Sequence, residues 1–153
     1  MVTLTYYDPY YHTLPQWHKV IGFIVGALTF ARLLWRYYSP SPKLLTQHPW
    51  EILAAKTAHF TLYLFIILMT LTGYLITTGN GEPLRLSDEF IVLAITTLDE
   101  TELLMMGNLH KWLAYGFILT ILIHTAASLK HHYHRKDATL TRMLFTGCKK
   151  RSE

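Results

Sequence analysis

The sequence has very little cysteine and few charges. Its 153 residues include a single cysteine, Cys148, so an intrachain disulfide and a CxxC metal motif are both excluded. Charged residues make up only 16% of the chain, whereas about 25% is usual in soluble domains. The first 17 residues contain no Lys or Arg and no long apolar run, so the sequence predicts no secretory signal peptide there.

What the sequence has instead is long apolar runs. Hydrophobic residues make up 51% of the chain and are concentrated in three stretches, at about 18–38, 53–78 and 109–131. Each stretch is long enough to cross a bilayer, which takes about 20 mostly apolar residues. The sequence therefore predicts an all-α integral membrane protein, a transmembrane helical bundle with three spanning helices in a single domain, 1–153.

The basic residues are distributed as in a membrane protein. Arg32, Arg36 and Lys43 lie around the first connection, which the X-Pro steps within 39–52 predict to be a loop, and the tail after the third stretch is also basic. The second connection, 79–107, is acidic. By the positive-inside rule the C-terminus is cytoplasmic, and the N-terminus and the acidic loop are periplasmic. Since no basic helix with interleaved aromatic residues occurs, the predicted partner is lipid rather than nucleic acid.

Two histidines lie in the interior of the third apolar stretch, whose last residue is His131. His110 and His124 are 14 residues apart, so on a helix they are about 21 Å apart along the axis and lie on nearly the same face. A histidine at membrane depth is rare and usually functional. Two histidines on one face, one near each side of the membrane, indicate two stacked cofactors.

Histidines of the other stretches lie at matching depths. His18 is at the outer end of the first stretch, like His110 in the third, and His59 is near the inner start of the second, like His124. Two imidazoles from different helices are suited to be trans axial ligands of one haem, which leaves no open iron position and favours electron transfer over oxygen binding. The alternative for each histidine is a hydrogen bond to a neighbouring helix. For His59, a proton path and a quinone contact are further alternatives.

Two glycines and an arginine lie near the face of His18. Gly22 and Gly26 form a GxxxG pattern, which is typical of close helix–helix packing but also leaves room for a flat porphyrin beside the backbone. Arg32 lies 14 residues after His18 on nearly the same face. There it can reach the interface or neutralise a carboxylate such as a haem propionate. Gly22 and Arg32 are therefore candidate cofactor-binding residues.

The remaining histidines favour surface roles. His12 lies in an aromatic segment suited to the membrane interface, and His48 precedes a proline in a loop. His131, His132 and His134 lie at the cytoplasmic interface, where solvated rings are favoured and a soft-metal site is the alternative.

Several motifs together resemble a known family. They are LPQWHKVIGF, RLLWRYYSPSP, AAKTAHFTLYLF with LTGYLI, GNLHKWLAY, and LIHTAASLKHHYHRKDATLTRML. They cover nearly the whole chain and resemble the bacterial cytochrome b561 family, which is related to the b-type cytochrome subunits of nickel–iron hydrogenases. The resemblance implies a four-helix transmembrane bundle that holds two b-type haems and passes electrons between quinone and a periplasmic or membrane partner. Some members of the family resemble a superoxide:ubiquinone oxidoreductase.

The resemblance also implies haem ligands. The histidine of the family's second helix falls on His18, and the two of its fourth helix fall on His110 and His124. In the family, His18 and His110 would pair at the periplasmic haem, whereas His124 would pair with a histidine of a first helix that this sequence lacks. The expectation is one complete haem b site and a second site without its usual partner ligand, unless His59 or another subunit supplies it.

We therefore expect a membrane-bound electron-transfer protein of the bacterial inner membrane. The resemblance implies an oxidoreductase linked to ubiquinone or to superoxide, working with a redox partner protein or a second copy of the chain. Lys19 and Lys111 follow the two outer histidines, where either would face a propionate or an anionic electron donor. One alternative is a non-redox anchor subunit, which would be colourless. Another is a metal or proton transporter, which is disfavoured because the three apolar stretches hold no carboxylate.

Overall fold

Three long helices build the protein. The computed structural model describes residues 7, 9–11, 13–39, 49–87 and 89–135, without the side chains of 131, 132, 134 and 135. In chain order the elements are α1 (Thr13–Tyr38), α2 (Pro49–Thr78), β1 (Leu84–Arg85), β2 (Ile91–Val92) and α3 (Glu100–Arg135). Within these described ranges, α1, α2 and the part of α3 up to Lys130 are long and apolar enough to cross a membrane. The prediction of an all-α membrane protein with three spans is confirmed.

Each helix begins before the apolar stretch that predicted it. α1 begins at Thr13 with Pro15 in its first turn, and α2 begins at Pro49 itself. Proline is favoured at such positions because the first turn needs no backbone donor and its fixed φ suits a helix. The loop predicted at 39–52 therefore ends earlier than expected, and Glu51, which is only 5% exposed, belongs to the first turn of α2.

The start of α3 is fixed by a capping box. The Asp99 carboxylate accepts a hydrogen bond from the Glu102 backbone N–H at 2.8 Å, and the Glu102 carboxylate accepts one from the Asp99 N–H at 2.9 Å. Such a reciprocal pair satisfies backbone donors that a helix start leaves without partners. The predicted loop 79–107 is therefore too long by the first two turns of α3, which starts at Glu100.

α2 is the central helix, and α1 and α3 both pack against it. On one side a Cβ atom added to Gly26 of α1 would lie 2.6 Å from Cγ2 of Thr70, so only glycine allows this approach. On the other side a Cβ added to Gly116 of α3 would lie 2.9 Å from the Phe65 ring. Within the described residues, α1 and α3 make no backbone contact with each other. A gap between these two helices is the result.

The second connection folds back onto α1. Gly81, with φ of 81°, makes the turn after α2, and β1 pairs antiparallel with β2. The Gln16 side chain donates a hydrogen bond to the Arg85 carbonyl at 3.1 Å, and the rings of Phe23 and Phe90 are 6.4 Å apart. The hairpin therefore lies beside the N-terminal half of α1.

The rest of this connection is tied to the end of α2. The Tyr74 hydroxyl donates to the Leu93 carbonyl at 2.8 Å and accepts from the Ile95 backbone N–H at 3.1 Å. The Leu98 N–H donates to the Gly79 carbonyl at 2.8 Å. These bonds lead the chain from the end of α2 directly to the start of α3.

Candidate functional site

The outer histidine pair bridges the gap between α1 and α3. The ring centroids of His18 and His110 are 6.0 Å apart, and the ring planes are nearly perpendicular, at 88°. His18 is exposed and His110 is partly buried. Because the backbones of α1 and α3 do not come into contact within the described ranges, these two rings meet across the space between the helices.

This spacing is that of two imidazoles sharing one metal ion. A metal–imidazole bond is about 2 Å long, so two imidazoles trans to one ion place their ring centroids roughly 6 Å apart. The perpendicular orientation is compatible with this arrangement, since each ring can rotate about its metal–nitrogen axis. A porphyrin would supply four further nitrogens and leave two positions for protein ligands, which His18 and His110 could fill among the described residues. The outer pair therefore fits a bis-histidine haem.

The two glycines of the GxxxG pattern have different surroundings. Gly26 packs against Thr70 of α2, as described above. A Cβ atom added to Gly22 would have nothing within 4 Å. Gly22 lies one turn after His18 and borders open space, whereas Gly26 is the helix-packing residue. The packing interpretation of the pattern thus applies to Gly26, and the space beside Gly22 is compatible with a flat ring system.

The His110 ring is held by α2. Its Nδ1 is hydrogen-bonded to Oγ1 of Thr72 at 2.8 Å, and a Cβ atom added to Gly73 would lie 3.4 Å from its Cε1. Thr72 itself is only 4% exposed. α3 therefore supplies the histidine, and two consecutive residues of α2 fix where its ring lies.

The inner histidine pair lies across the α2–α3 contact. The ring centroids of His59 and His124 are 5.2 Å apart, with 63° between the ring planes. This separation is shorter than the roughly 6 Å expected for two imidazoles on one metal ion. The positive charges of Arg36 and Arg32, at the end of α1, act electrostatically on His59. The inner level thus combines two histidines with two arginines. The rings of the inner pair are closer together than those of the outer pair.

The two pairs lie at two levels of an up-and-down bundle. His59 lies 13 residues before Thr72 on α2, and His110 lies 14 residues before His124 on α3. At about 1.5 Å per residue, both spacings correspond to about 20 Å. Since Thr72 contacts His110 and His59 contacts His124, the two helices run antiparallel and the levels are about 20 Å apart.

Other predicted residues are less closely tied to these pairs. Lys19 is exposed, and the Nζ atom of Lys111 lies 5.8 Å from the centre of the neighbouring Trp112 ring. The Trp112 ring in turn contacts Tyr115 at 5.8 Å. Further predictions lie outside the described residues; they concern His12, His48, Lys43, Cys148 and the side chains of His131, His132 and His134.

Sequence reasoning missed Thr72 and Glu51. Thr72 carried no signal because its contact with His110 depends on how α2 and α3 are rotated relative to each other. Glu51 lay in a segment that was expected to be a loop, although Pro49 just before it is a common first residue of a helix.

Comparison with known proteins identifies relatives over most of the chain. A family model described as prokaryotic cytochrome b561 matches residues 1–146. The chain is 40% identical over 145 residues to cytochrome b561 homolog 2 of Escherichia coli strain K12, covering 94% of this chain and 77% of that protein. It is 29% identical over 135 residues to cytochrome b561 homolog 1 of the same organism, covering 88% and 76%. These matches confirm the resemblance drawn from the motifs.

Proposed function

The chain belongs to the prokaryotic cytochrome b561 family of membrane-bound b-type cytochromes that transfer electrons, and we propose that His18 and His110 are the axial ligands of its haem b. The protein is a multi-pass bacterial membrane protein. The single observation that carries the proposal is the 6.0 Å separation of the two rings, from helices whose backbones do not come into contact in the described part of the chain.

The residues around His18 and His110 contribute to the proposed haem site in different ways. α1 presents His18 into the gap, and the bare backbone at Gly22 leaves room for the macrocycle. α2 holds the His110 ring through Thr72. When bound, a haem with two axial imidazoles supplies a one-electron carrier without an open coordination position, tuned by its ligands, their hydrogen bonds and burial.

We place this site on the periplasmic side of the membrane. Arg32 and Arg36 at the end of α1, together with the basic tail, favour a cytoplasmic location for the opposite end of the bundle. With that orientation, the N-terminus and the 79–107 connection are periplasmic. Electrons would then pass between a quinone in the membrane and a periplasmic or membrane-bound partner. Superoxide is the alternative electron donor, as the resemblance implies.

The test is a haem count in single-histidine variants. The full chain is produced in a haem-sufficient host, and haem per polypeptide is measured by the pyridine haemochrome method together with a reduced-minus-oxidised spectrum. His18→Ala and His110→Ala are each expected to remove one haem. The control is His12→Ala, at a histidine that the sequence predicts to be interfacial, and it is expected to retain the parental count. A colourless parental protein would favour the anchor-subunit alternative.

For His124 we propose a second, cytoplasmic-side haem, with His59 as its neighbour in this chain. Their ring separation of 5.2 Å means that the rings must move apart by roughly 1 Å to admit an iron. Arg32 and Arg36 offer positive charge for propionates at this level. The same count tests this proposal, because the parental protein should contain two haems and His124→Ala one. If the parental protein contains one haem and His124→Ala also contains one, His59 and His124 do not bind haem, and a polar contact or a quinone contact remains for them.

A further inference from the structure

The buried hydroxyl of Thr72 makes three close contacts. Its Oγ1 lies 2.8 Å from the Leu68 carbonyl, 3.2 Å from the Met69 carbonyl and 2.8 Å from Nδ1 of His110. The two carbonyls belong to α2, the same helix as Thr72, and the histidine comes from α3. Thr72 is therefore the polar link between α2 and the outer histidine of α3.

The protons of this cluster fix the direction of each bond. A threonine hydroxyl has one proton to donate and two lone pairs to accept with, whereas a backbone carbonyl can only accept. If that proton were directed at His110, the Leu68 and Met69 carbonyls would both face the hydroxyl oxygen with no proton between them. We therefore assign the hydroxyl proton to one of these carbonyls. The contact with His110 is then favourable only if the ring donates its Nδ1–H to the threonine oxygen. In a neutral imidazole this leaves Nε2 as the unprotonated nitrogen.

We propose that Thr72 is a positioning residue for the outer haem, because its hydroxyl holds His110 in the Nδ1–H tautomer and leaves Nε2 to bind the iron. This inference rests on the proposed role of His110 as a ligand. Metal-binding histidines commonly donate their other ring N–H to an oxygen acceptor, which fixes the ring orientation and raises the basicity of the ligand nitrogen. Gly73 leaves room for the ring edge, since a Cβ atom added there would lie 3.4 Å from Cε1 of His110.

The two outer histidines differ in their hydrogen bonds, since only the ring of His110 is bonded to a side chain among the described residues. In the part of the chain that the structure describes, no side chain hydrogen-bonds the ring of His18, which is exposed on α1. His110 is thus the pre-oriented ligand and His18 the adaptable one. The influence of Thr72 should consequently reach the iron through His110.

The variants are Thr72→Val, which keeps the shape but removes the hydroxyl, and Thr72→Ser, which keeps the hydroxyl. Thr77→Val is the matched control, since Thr77 is also on α2 and donates to the carbonyl four residues earlier, that of Gly73, at 2.8 Å. Thr77 makes the same intrahelical bond as Thr72 without the histidine contact.

Haem retention and midpoint potential are measured on the full chain in lipid nanodiscs. For Thr72→Val we expect haem affinity to fall about 10- to 100-fold, the usual effect of removing a hydrogen-bond partner of a metal ligand. The midpoint potential of the outer haem should rise, because a less basic imidazole stabilises the ferric state less. Thr72→Ser and Thr77→Val should both match the parent.

The tautomer itself is read in the haem-free chain by nitrogen-15 NMR of labelled histidine, with His110→Ala used for assignment. The parent should show the Nδ1–H form at His110, and Thr72→Val should shift the ring toward the Nε2–H form. A parent in the Nε2–H form would overturn the inference without any variant, so poor folding of Thr72→Val cannot hide a failure. If His110→Ala keeps every haem, the proposed ligand role fails instead. If His110→Ala loses a haem but Thr72→Val behaves like Thr77→Val, the inference about Thr72 alone fails.

Discussion

The two glycines of α1 should respond in opposite ways to the same substitution. Gly22→Leu and Gly26→Leu place the same side chain one turn apart on the same helix. Because both changes replace glycine with leucine, the gain in helix propensity, about 1 kcal/mol in each, cancels in the comparison. The difference that remains comes from what each new side chain meets.

At position 26 the new Cβ would lie 2.6 Å from Cγ2 and 2.7 Å from Oγ1 of Thr70. Ordinary contacts between carbon atoms are at about 3.5–4.0 Å, so α1 must move away from α2 by roughly 1 Å. Overpacking of this kind typically costs about 1–3 kcal/mol. At position 22 nothing lies within 4 Å of the Cβ, so the haem-free protein should tolerate the change.

The assay combines thermal unfolding of the haem-free chain in detergent with a haem count of the loaded chain. Gly26→Leu should lower the unfolding temperature even without haem. Gly22→Leu should raise that temperature slightly, because the gain in helix propensity meets no clash, but it should reduce haem content, because its side chain fills the space that the porphyrin needs. If Gly22→Leu keeps the parental haem content and spectrum, the reasoning that the gap beside His18 receives the porphyrin is refuted.

The remaining predictions concern charge, the outer connection and the spectrum. Arg32→Leu should reduce retention of the second haem while the outer haem remains, as measured by haem per polypeptide. If both haems are retained as in the parent, Arg32 does not contribute to haem binding. Replacing Lys19 and Lys111 with Met should change the midpoint potential or the rate of reduction by an anionic donor. If neither changes, these lysines face neither a propionate nor the donor. Tyr74→Phe removes the bonds to Leu93 and Ile95, at about 0.5–1.5 kcal/mol each, and should speed hydrogen exchange at Ile95; unchanged exchange would contradict the role of Tyr74. If the outer rings keep their 88° angle when haem binds, the low-spin ferric EPR signal should have the highly anisotropic form, whereas a rhombic signal would show that the rings had rotated towards parallel.

Much of the fold could be predicted because apolar length is a direct signal of a membrane span. The three apolar stretches led to α1, α2 and α3, and the 14-residue spacing of His110 and His124 led to two levels in the bundle. The helix starts were missed although their signals were present, in Pro49 and in the Asp99–Glu102 capping box. Hydropathy alone does not register them, since these first turns are polar.

The finer structure of the site depended on contacts that one sequence does not reveal. The GxxxG pattern marks Gly22 and Gly26 equally, and only the position of α2 distinguishes the one that packs from the one that borders a gap. The link between Thr72 and His110 likewise requires the rotation of two helices about their axes. The pairing of His59 with His124 was open on spacing alone, and the structure places these two rings side by side.

The central claim is that His18 and His110 bind one haem iron together, and EPR of the oxidised protein tests it most directly. The parent should show a low-spin ferric signal from bis-imidazole ligation. His18→Ala and His110→Ala should each lose that component, with high-spin iron or loss of haem in its place. Under the proposed second haem, the low-spin component that remains in each variant should be the one that His124→Ala removes. A low-spin spectrum that is unchanged from the parent in either variant would contradict shared coordination by these two residues.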